Sequence, residues 1–441
     1  MGRADVLMIG SELRLAASGR RAVVSRLIGE GSQGQVFEAA IDNGSSRVAI
    51  KWYFPHTGTP HQRDVVLDLI DRGPPSDRFL WPAELIDLPN TRGFGYVMPL
   101  RSERYASLVE LLMGKVDMPF SLVCRLCLEL SHSFLQLHAQ GLCYRDISFG
   151  NVFFDPKTGF PMICDNDNVG VDGAGPTTVL GTRRFMAPEV VRREAVPSSV
   201  TDLYSLSVLL FYILMMGHPL VGRREDEFDC WDDHAESSLF GEDPLFIFDP
   251  SDRSNEPIPG VHGTVLRYWG LYPSFLRSLF ITAFTRGLID PLDGRVRESV
   301  WRTNMARLLG TIIRCEACEK ENFYDPGVEQ TTCWCCDRPL GAPLWLTVEH
   351  RGLALGRGSV VHRHLLTGDY DFDHRVGEVV PNPREPTLLG LQNQTDAAWR
   401  ATLANREERV VEPGRSIRLT TGTRLRIAGS LARLNNDPPS F

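Results

Sequence analysis

Three features that would indicate other classes of protein are scarce in this chain of 441 residues. Basic residues show no excess: 47 Lys and Arg against 55 Asp and Glu leave a net charge of −8, which argues against nucleic-acid or anionic-membrane partners. Long apolar runs are also missing. The most apolar stretch, residues 203–217, is shorter than the roughly 20 residues that span a bilayer, so we expect a buried helix there and no membrane segment.

Cysteine is scarce outside one short segment. Five of the ten cysteines lie between residues 315 and 336, a distribution that is typical of a metal site in a reducing compartment, so we expect a cytoplasmic protein. Four of them follow the spacing C-x2-C-x14-C-x2-C: Cys315, Cys318, Cys333 and Cys336. Because two such pairs close a tetrahedron of thiolates, the spacing predicts a structural Zn²⁺ ribbon that leaves Cys335 outside the site.

A glycine-rich stretch, "RLIGEGSQGQVFEA", lies between two β-like runs. Its glycines are Gly29, Gly31 and Gly34. A strand follows them, where a dinucleotide-binding motif would have a helix, so the pattern favours a hairpin that covers nucleotide phosphates with backbone N–H groups. Lys51, in "VAIK", is then placed to contact the α and β phosphates, and Val36 and Ala49 would enclose the adenine.

The next two segments complete the predicted nucleotide pocket. "GFGYVMPLRSE" is typical of a strand that runs into a hinge, with Met98 as gatekeeper and Leu100 and Arg101 beside the adenine. The helix-like segment 61–73 has no Glu to pair with the nucleotide lysine, so Asp64 and Asp68 are the candidate partners.

The stretch "YRDISFGN", residues 144–151, carries the candidate catalytic residues. An Asp followed five positions later by an Asn is the spacing with which a kinase holds a substrate hydroxyl beside a metal-bound nucleotide. Asp146 would accept or orient the hydroxyl proton, and Asn151 would bind Mg²⁺ or Mn²⁺. Asp165, in "CDND", is the second candidate metal ligand, and Arg145 would pair with an activation segment.

With "GTRRFMAPE" and "TDLYSLSV" in the expected order, residues from about 21 to 310 resemble a eukaryotic-type Ser/Thr protein kinase of the bacterial kind. The resemblance implies ATP as cofactor, protein substrates, a Glu189–Arg295 ion pair and an Asp202 that anchors the catalytic loop. It also implies a metal-dependent protein phosphatase as counterpart.

The chain departs from the family pattern at four positions. Tyr144 stands where His is usual and Ser148 where Lys is usual, while Asn166 and Asp167 replace the Phe and Gly of the DFG motif. The loss of a lysine charge near the transferred phosphate predicts a slow enzyme.

From residue 344 onward, short β-like runs alternate with Gly, Pro and Asn turns, which predicts an all-β sandwich. Segments such as "LGLQNQTDAAW" resemble a forkhead-associated domain, in which Asn393 matches a late Asn of the family. The phosphate-binding Gly-Arg would fall on Gly377 and Glu378, with the charge reversed, so we expect a scaffold role rather than phosphopeptide binding.

The predicted fold is multidomain α+β: a two-lobed protein kinase fold followed by a small zinc ribbon and an all-β sandwich. Its predicted parts are an N-terminal segment (1–20), a kinase N-lobe (21–101), a C-lobe (102–311), the zinc ribbon (312–342), the sandwich (343–433) and a tail (434–441). The predicted function is phosphorylation of Ser or Thr on the chain itself and on protein partners. Thr177, Thr178 and Thr182 are candidate autophosphorylation sites. A nucleotide-binding pseudokinase scaffold and an AMP transferase on the same fold are the alternatives.

Overall fold

The computed structural model describes residues 7–44, 46–87, 93–173, 180–328 and 331–439. Its first lobe is an antiparallel sheet of six strands in the order β1-β2-β3-β4-β6-β5, with one helix packed on it. The elements are β1 (Glu12–Arg14), β2 (Arg21–Glu30), β3 (Gly34–Ile41), β4 (Ser46–Tyr53), α1 (Pro60–Arg72), β5 (Glu84–Asp87) and β6 (Phe94–Pro99).

The first sheet starts before residue 21, the boundary predicted for the N-lobe. Strand β1 pairs with β2 in the register Leu13–Ala22, and Leu7, Leu13 and Leu15 are buried with the sheet core. These alternating leucines are too short a pattern to predict a strand, and only the neighbouring strand gives them an apolar surface to cover.

The second lobe is mainly helical. Its elements are β7 (Ala106–Ser107), α2 (Leu108–Leu112), α3 (Phe120–Ala139), β8 (Leu142–Cys143), β9 (Val152–Phe154), β10 (Pro161–Ile163), β11 (Gly170–Val171), α4 (Pro188–Val191), α5 (Ser199–Met215), α6 (Asp233–Ser237), α7 (Gly263–Leu271), α8 (Ser274–Phe284), α9 (Arg286–Ile289) and α10 (Glu298–Gly310). Helix α5 is buried along most of its length, which confirms the buried helix predicted for the most apolar stretch. None of the described helices has both the length and the apolar content that crossing a bilayer would need.

A cysteine-containing hairpin follows α10. Strands β12 (Ile312–Arg314) and β13 (Glu321–Phe323) pair in antiparallel fashion on either side of the first Cys pair, and a bridge between Thr332 and Pro339 brackets the second pair. We call residues 312–342 the cysteine segment. Its β13 end is tied to the second lobe, because the Glu321 carboxylate accepts bonds from the backbone N–H and the hydroxyl of Ser121 at 2.7 and 2.9 Å.

The remaining strands form two sheets around one core. The first sheet has the order β15-β14-β23-β22-β19-β20 and the second has the order β16-β17-β18-β21. The elements are β14 (Leu344–Val348), β15 (Arg351–Leu355), β16 (Val360–His362), α11 (Arg363–Thr367), β17 (Arg375–Pro381), β18 (Leu389–Asn393), β19 (Trp399–Thr402), β20 (Glu408–Val411), β21 (Ser416–Arg418), β22 (Arg424–Ile427) and β23 (Ser430–Asn435). The last strand ends two residues beyond the predicted boundary at 433.

The β-rich region docks on the helical lobe through the loop before β17. Arg125 of α3 pairs with Asp373 at 3.2 Å, and the guanidinium of Arg302 on α10 stacks on the Tyr370 ring, 3.9 Å from its centre. Asn393 is fully buried, and its side chain bonds to backbone and hydroxyl groups of its own loop and of β20. This asparagine therefore shapes the loop after β18.

Candidate active site

The loop after β8 is held by a buried carboxylate on α5. Asp202 accepts hydrogen bonds from the backbone N–H groups of Tyr144 at 2.5 Å and Arg145 at 3.0 Å, so the predicted anchor is present. His138 lies between Asp202, 3.1 Å from its Nε2, and Glu298. Burial lowers the pKa of His138, but the two carboxylates outweigh it and raise the pKa to about 9, so the ring is charged at neutral pH.

Tyr144 takes the place of the usual histidine as a core residue. Its ring is fully buried, packs edge-on against Phe134 with 5.6 Å between ring centres, and donates its hydroxyl to the Cys164 carbonyl. This bond joins the loop that contains Asp146 to the strand that leads to Asp165. The substitution therefore keeps the loop attached to the segment that carries the metal-ligand candidate.

The Asp146 carboxylate is oriented from two sides. The Asn151 amide donates to its Oδ2 at 3.1 Å and to its backbone carbonyl at 2.8 Å. Thr182 donates its backbone N–H and its hydroxyl to Oδ1, both at 2.8 Å. Asp146 therefore accepts a hydrogen bond from the hydroxyl of a threonine within the chain itself. Thr177 and Thr178 lie outside the described residues.

Arg145 has its side chain against the backbone of Gly170 in β11. A Cβ at Gly170 would lie 2.1 Å from its Nη2, so a larger residue there would displace the Arg145 guanidinium. Arg145 itself has a positive φ of 73°, at the point where the chain turns into the loop. The Glu189–Arg295 ion pair expected farther along the lobe is present at 2.8 Å.

Lys51 is buried on β4 and lies between two carboxylates. Its Nζ is 2.6 Å from Asp165 Oδ1, 2.9 and 2.8 Å from the two oxygens of Asp167, and 3.0 Å from the Gln33 side-chain oxygen. Burial lowers the pKa of the amine, but Asp167 and Asp165 outweigh it and raise the pKa, so the lysine is charged.

The helix aspartates proposed as partners of Lys51 do not take that place. Asp64 and Asp68 lie on the exposed face of α1, and Asp68 pairs with Arg72 at 2.7 Å. The α1 side chain that reaches the site is Gln62, whose amide donates to the Tyr53 hydroxyl at 3.2 Å and to the Asp167 carbonyl at 3.0 Å. The expectation was wrong because the helical period turns the Gln62 face, and not the aspartate face, toward the sheet.

The segment after Asp165 forms a tight turn. Asp165 adopts the left-handed conformation at φ 55°, and residues 166–168 form a single 3₁₀ turn that returns Asp167 toward Lys51. Asn166, in the place of the DFG phenylalanine, is fully buried and donates to the carbonyls of Leu80 at 2.8 Å and Ile163 at 3.0 Å. Hydrogen bonds therefore hold this turn where the family has an aromatic stack.

The predicted adenine contacts converge on one apolar cluster. Val36, Ala49, Met98 and Leu100 all belong to it, and Ala49 faces Met98 across the β4–β6 pair. Arg101 stacks on Phe153, with 3.9 Å from its guanidinium carbon to the ring centre. The residues predicted to contact the adenine therefore form one apolar cluster next to the predicted hinge.

The glycines of the hairpin have two distinct roles. A Cβ at Gly34 would lie 2.2 Å from the Trp52 carbonyl, so only glycine fits there. A Cβ at Gly29 or Gly31 would meet nothing within 4 Å, which leaves the space beside the hairpin open. Between them, Gln33 folds back so that its amide also donates to Asn168 at 2.9 Å. The hairpin is thus fastened to the segment after Asp165.

The oxygen-rich donor set of the cleft suits a hard cation. Asp165 offers a carboxylate that is 38% exposed, and the backbone N–H of Cys164 donates to the Asn151 carbonyl at 2.8 Å, which brings the two candidate ligands onto neighbouring backbone. Carboxylate and amide oxygens are the ligands that Mg²⁺ and Mn²⁺ prefer.

The cysteine segment forms a second, separate cluster. The Sγ atoms of Cys315, Cys318, Cys333 and Cys336 all lie within 4.8 Å of one another, and Cys335 is exposed outside them. Burial raises the pKa of Cys333, but the backbone N–H groups of Cys335 and Cys336 outweigh it and lower the pKa to about 6. A thiolate favoured by N–H donors is the form that binds a metal.

Comparison with known proteins agrees with this geometry. Residues 97–243 match the family model described as the protein kinase domain. This range includes the loop with Asp146 and Asn151, Asp165 and the "GTRRFMAPE" segment, so the chain contains a protein kinase domain. The glycine hairpin and Lys51 precede the matched range, so the match does not include them.

Several curated relatives come from eukaryotes, and their names describe them as protein kinases or serine/threonine-protein kinases. Protein kinase gsk3 of Schizosaccharomyces pombe is 25% identical over 199 residues, which cover 44% of this chain and 51% of that protein. CBL-interacting protein kinase 4 of Oryza sativa subsp. japonica is 28% identical over 182 residues, 39% of either chain. Serine/threonine-protein kinase N3 of Mus musculus is 36% identical over 109 residues, 24% of this chain and 12% of that protein. The chain thus spans about half the length of the first relative and less of the others.

Sequence analysis missed the side chains that surround Lys51. Gln33, Tyr53, Gln62 and Asp167 all contact the lysine or its carboxylate partners. The available signal was the Asp at the DFG glycine position, an acidic residue two places after a metal-ligand candidate. In the sequence alone, this residue is only a departure from the DFG motif.

Proposed function

We propose that the chain is an ATP- and Mg²⁺-dependent Ser/Thr protein kinase. The observation that carries the proposal is the Asp146 carboxylate, which accepts a threonine hydroxyl at 2.8 Å and is oriented by Asn151. Bound MgATP would supply the phosphoryl group. Asp146 orients the attacking hydroxyl and receives its proton, Lys51 binds phosphate oxygens, and Asp165 and Asn151 would hold the metal.

Transfer of labelled phosphate tests this proposal. Protein incubated with Mg²⁺ and γ-labelled ATP should acquire label on Ser or Thr, and α-labelled ATP should leave none. Label from α-labelled ATP would instead indicate AMP transfer. Binding of ATP without any transfer, to the chain or to a panel of peptides, would favour the pseudokinase.

The pseudokinase is the second candidate because of two observations. Ser148 removes a cation from the catalytic loop, and Gln33 bonds to Lys51 where phosphate oxygens would bind. Both lower the expected rate, but neither removes Asp146 or the metal-ligand candidates. We therefore favour a slow enzyme, with autophosphorylation at Thr177, Thr178 or Thr182 as part of the proposal.

We also propose roles for the other regions. The four clustered thiols would hold one structural Zn²⁺, and the β-rich region would act as a forkhead-associated-like scaffold on α3 and α10. Protein substrates, a metal-dependent phosphatase as counterpart, a bacterial origin and a cytoplasmic location complete the proposal. Copurification of a phosphatase that removes the label would support the partner, and failure of any such phosphatase to act on the labelled chain would count against it.

A further inference from the structure

Asp167 is a buried carboxylate at the edge of the cleft. Its side chain is fully buried, both of its oxygens lie within 2.9 Å of Lys51 Nζ, and it accepts a hydrogen bond from the Tyr53 hydroxyl. A buried carboxylate is stable only when a cation and hydrogen-bond donors compensate for its lost hydration. The Lys51–Asp167 ion pair is therefore part of the folded core of this site.

The two carboxylates on Lys51 differ in their access to the cleft. Asp165 is 38% exposed, whereas the Asp167 side chain is 0% exposed. A metal-bound nucleotide in the cleft would have access to the Asp165 carboxylate, whereas the Asp167 carboxylate is enclosed against Lys51. Asp167 is thus the carboxylate whose contact with Lys51 does not compete with a ligand in the cleft.

Helix α1 supports this arrangement indirectly. Its carboxylates face solvent, and Gln62 contacts the Asp167 carbonyl and the Tyr53 hydroxyl. The helix thus fastens the turn that carries Asp167, and the turn positions the lysine. Because Asp165 directly precedes the 3₁₀ turn that carries Asp167, the same short backbone segment positions the metal-ligand candidate and the lysine counter-ion.

We propose that Asp167 is the positioning residue for Lys51 and that it replaces a helix-borne glutamate as the permanent counter-ion of the nucleotide lysine. The inference rests on the proposed function of Lys51 in nucleotide binding. It has a regulatory consequence: assembly of the lysine site follows the conformation of residues 165–168, and a carboxylate on α1 has no part in it.

A set of matched variants tests the inference in the full-length chain. MgATP affinity is measured by calorimetry for Asp167→Asn, Lys51→Met and the double variant, with Asp64→Asn and Asp68→Asn as controls. Loss of a charged hydrogen bond is worth roughly a factor of 10 to 100, so Asp167→Asn should weaken binding by at least about tenfold. The two helix variants should stay within about twofold of the wild type.

The double variant separates positioning from general damage. If Asp167 acts through Lys51, adding Asp167→Asn to Lys51→Met should change affinity by less than about twofold, since the partner is already absent. If the two substitutions reduce MgATP affinity independently, so that their factors multiply in the double variant, the inference is overturned. It is also overturned if an Asp64 or Asp68 variant weakens MgATP binding as much as Asp167→Asn does. If Asp167→Asn does not fold, Tyr53→Phe takes its place in the same cycle, with the same two outcomes.

Failure of the Asp167 inference and failure of the kinase proposal give different experimental results. A wild type that binds MgATP but transfers no phosphate would overturn the kinase proposal and leave the affinity cycle valid. A wild type that transfers phosphate while Asp167→Asn binds MgATP normally would overturn only the role of Asp167. Absence of nucleotide binding in the wild type would overturn both.

Discussion

The active-site cleft and the cysteine segment both gather ionisable side chains, but they compensate charge differently. In the cleft, Lys51 lies between Asp165 and Asp167, and beneath the Asp146 loop the protonated His138 lies between Asp202 and Glu298. In the cysteine segment, the described contacts of the thiols are with one another, with Asn322 and with backbone N–H groups.

The difference indicates what each region needs in order to fold. The cleft carries its own counter-ions, so its geometry is complete without a ligand. Four thiols that become thiolates need an external cation, and a segment of about thirty residues has little apolar core of its own. The cleft should therefore lose function before structure, whereas the cysteine segment should lose both together.

The largest effect is expected at the cysteine segment. Wild type and Cys335→Ser should each contain one zinc ion per chain, and Cys333→Ser should contain none. Structural zinc contributes an apparent binding free energy on the order of 10–16 kcal/mol, so its loss should unfold residues 312–342. Elemental analysis and limited proteolysis measure the two effects, and equal zinc content in both variants would rule out the assignment.

In the cleft, Asp146→Asn should abolish most activity and preserve the fold. Removal of a general base costs about 10²–10⁴-fold in rate. Labelled phosphate transfer should fall by that factor, while MgATP affinity stays within a few-fold because Asp146 is not among the nucleotide ligands. A comparable loss of affinity would mean that Asp146 supports the nucleotide site instead.

The stability that His138 contributes beneath the Asp146 loop should depend on pH. Since the pKa of His138 is raised to about 9 in the folded state from 6.5, its contribution is complete below pH 6.5 and is lost as pH rises toward 9. The contribution is on the order of 2–4 kcal/mol. Urea unfolding of wild type and His138→Gln should differ most at pH 6 and least above pH 9, and a gap that widens with pH would contradict the charged pair.

The smallest effect is expected where the β-rich region meets α3. Asp373 is 73% exposed, so Asp373→Asn should reduce the free energy of unfolding by about 1 kcal/mol or less. Arg125→Ala should cost more, because Arg125 is buried and also pairs with Glu129 at 2.8 Å. Denaturant titration of both variants measures the two losses of unfolding free energy. A larger loss for Asp373→Asn than for Arg125→Ala would contradict this prediction.

The parts of the site that sequence analysis predicted are those whose chemistry is local. Asp146 and Asn151 are five residues apart on one loop, and their contact follows from that spacing. The two cysteine pairs likewise lie within 22 residues, from Cys315 to Cys336. Asn393 was matched by its position in a resemblance, but its actual partners, the carbonyls of Ala397 and Val411, depend on how β18 and β20 come together.

What the amino-acid sequence determined by itself is the set of short motifs, because fixed spacing along a chain limits where neighbouring side chains can lie. The tertiary structure alone decided which carboxylate neutralises Lys51, since that contact joins residues 116 positions apart and competes with helix aspartates of the same charge. The choice depends on burial: the exposed aspartates of α1 are stable in water, whereas Asp167, once enclosed, is stable only against a cation. The sequence shows an Asp at position 167, but local sequence alone does not show which of several aspartates becomes enclosed beside Lys51.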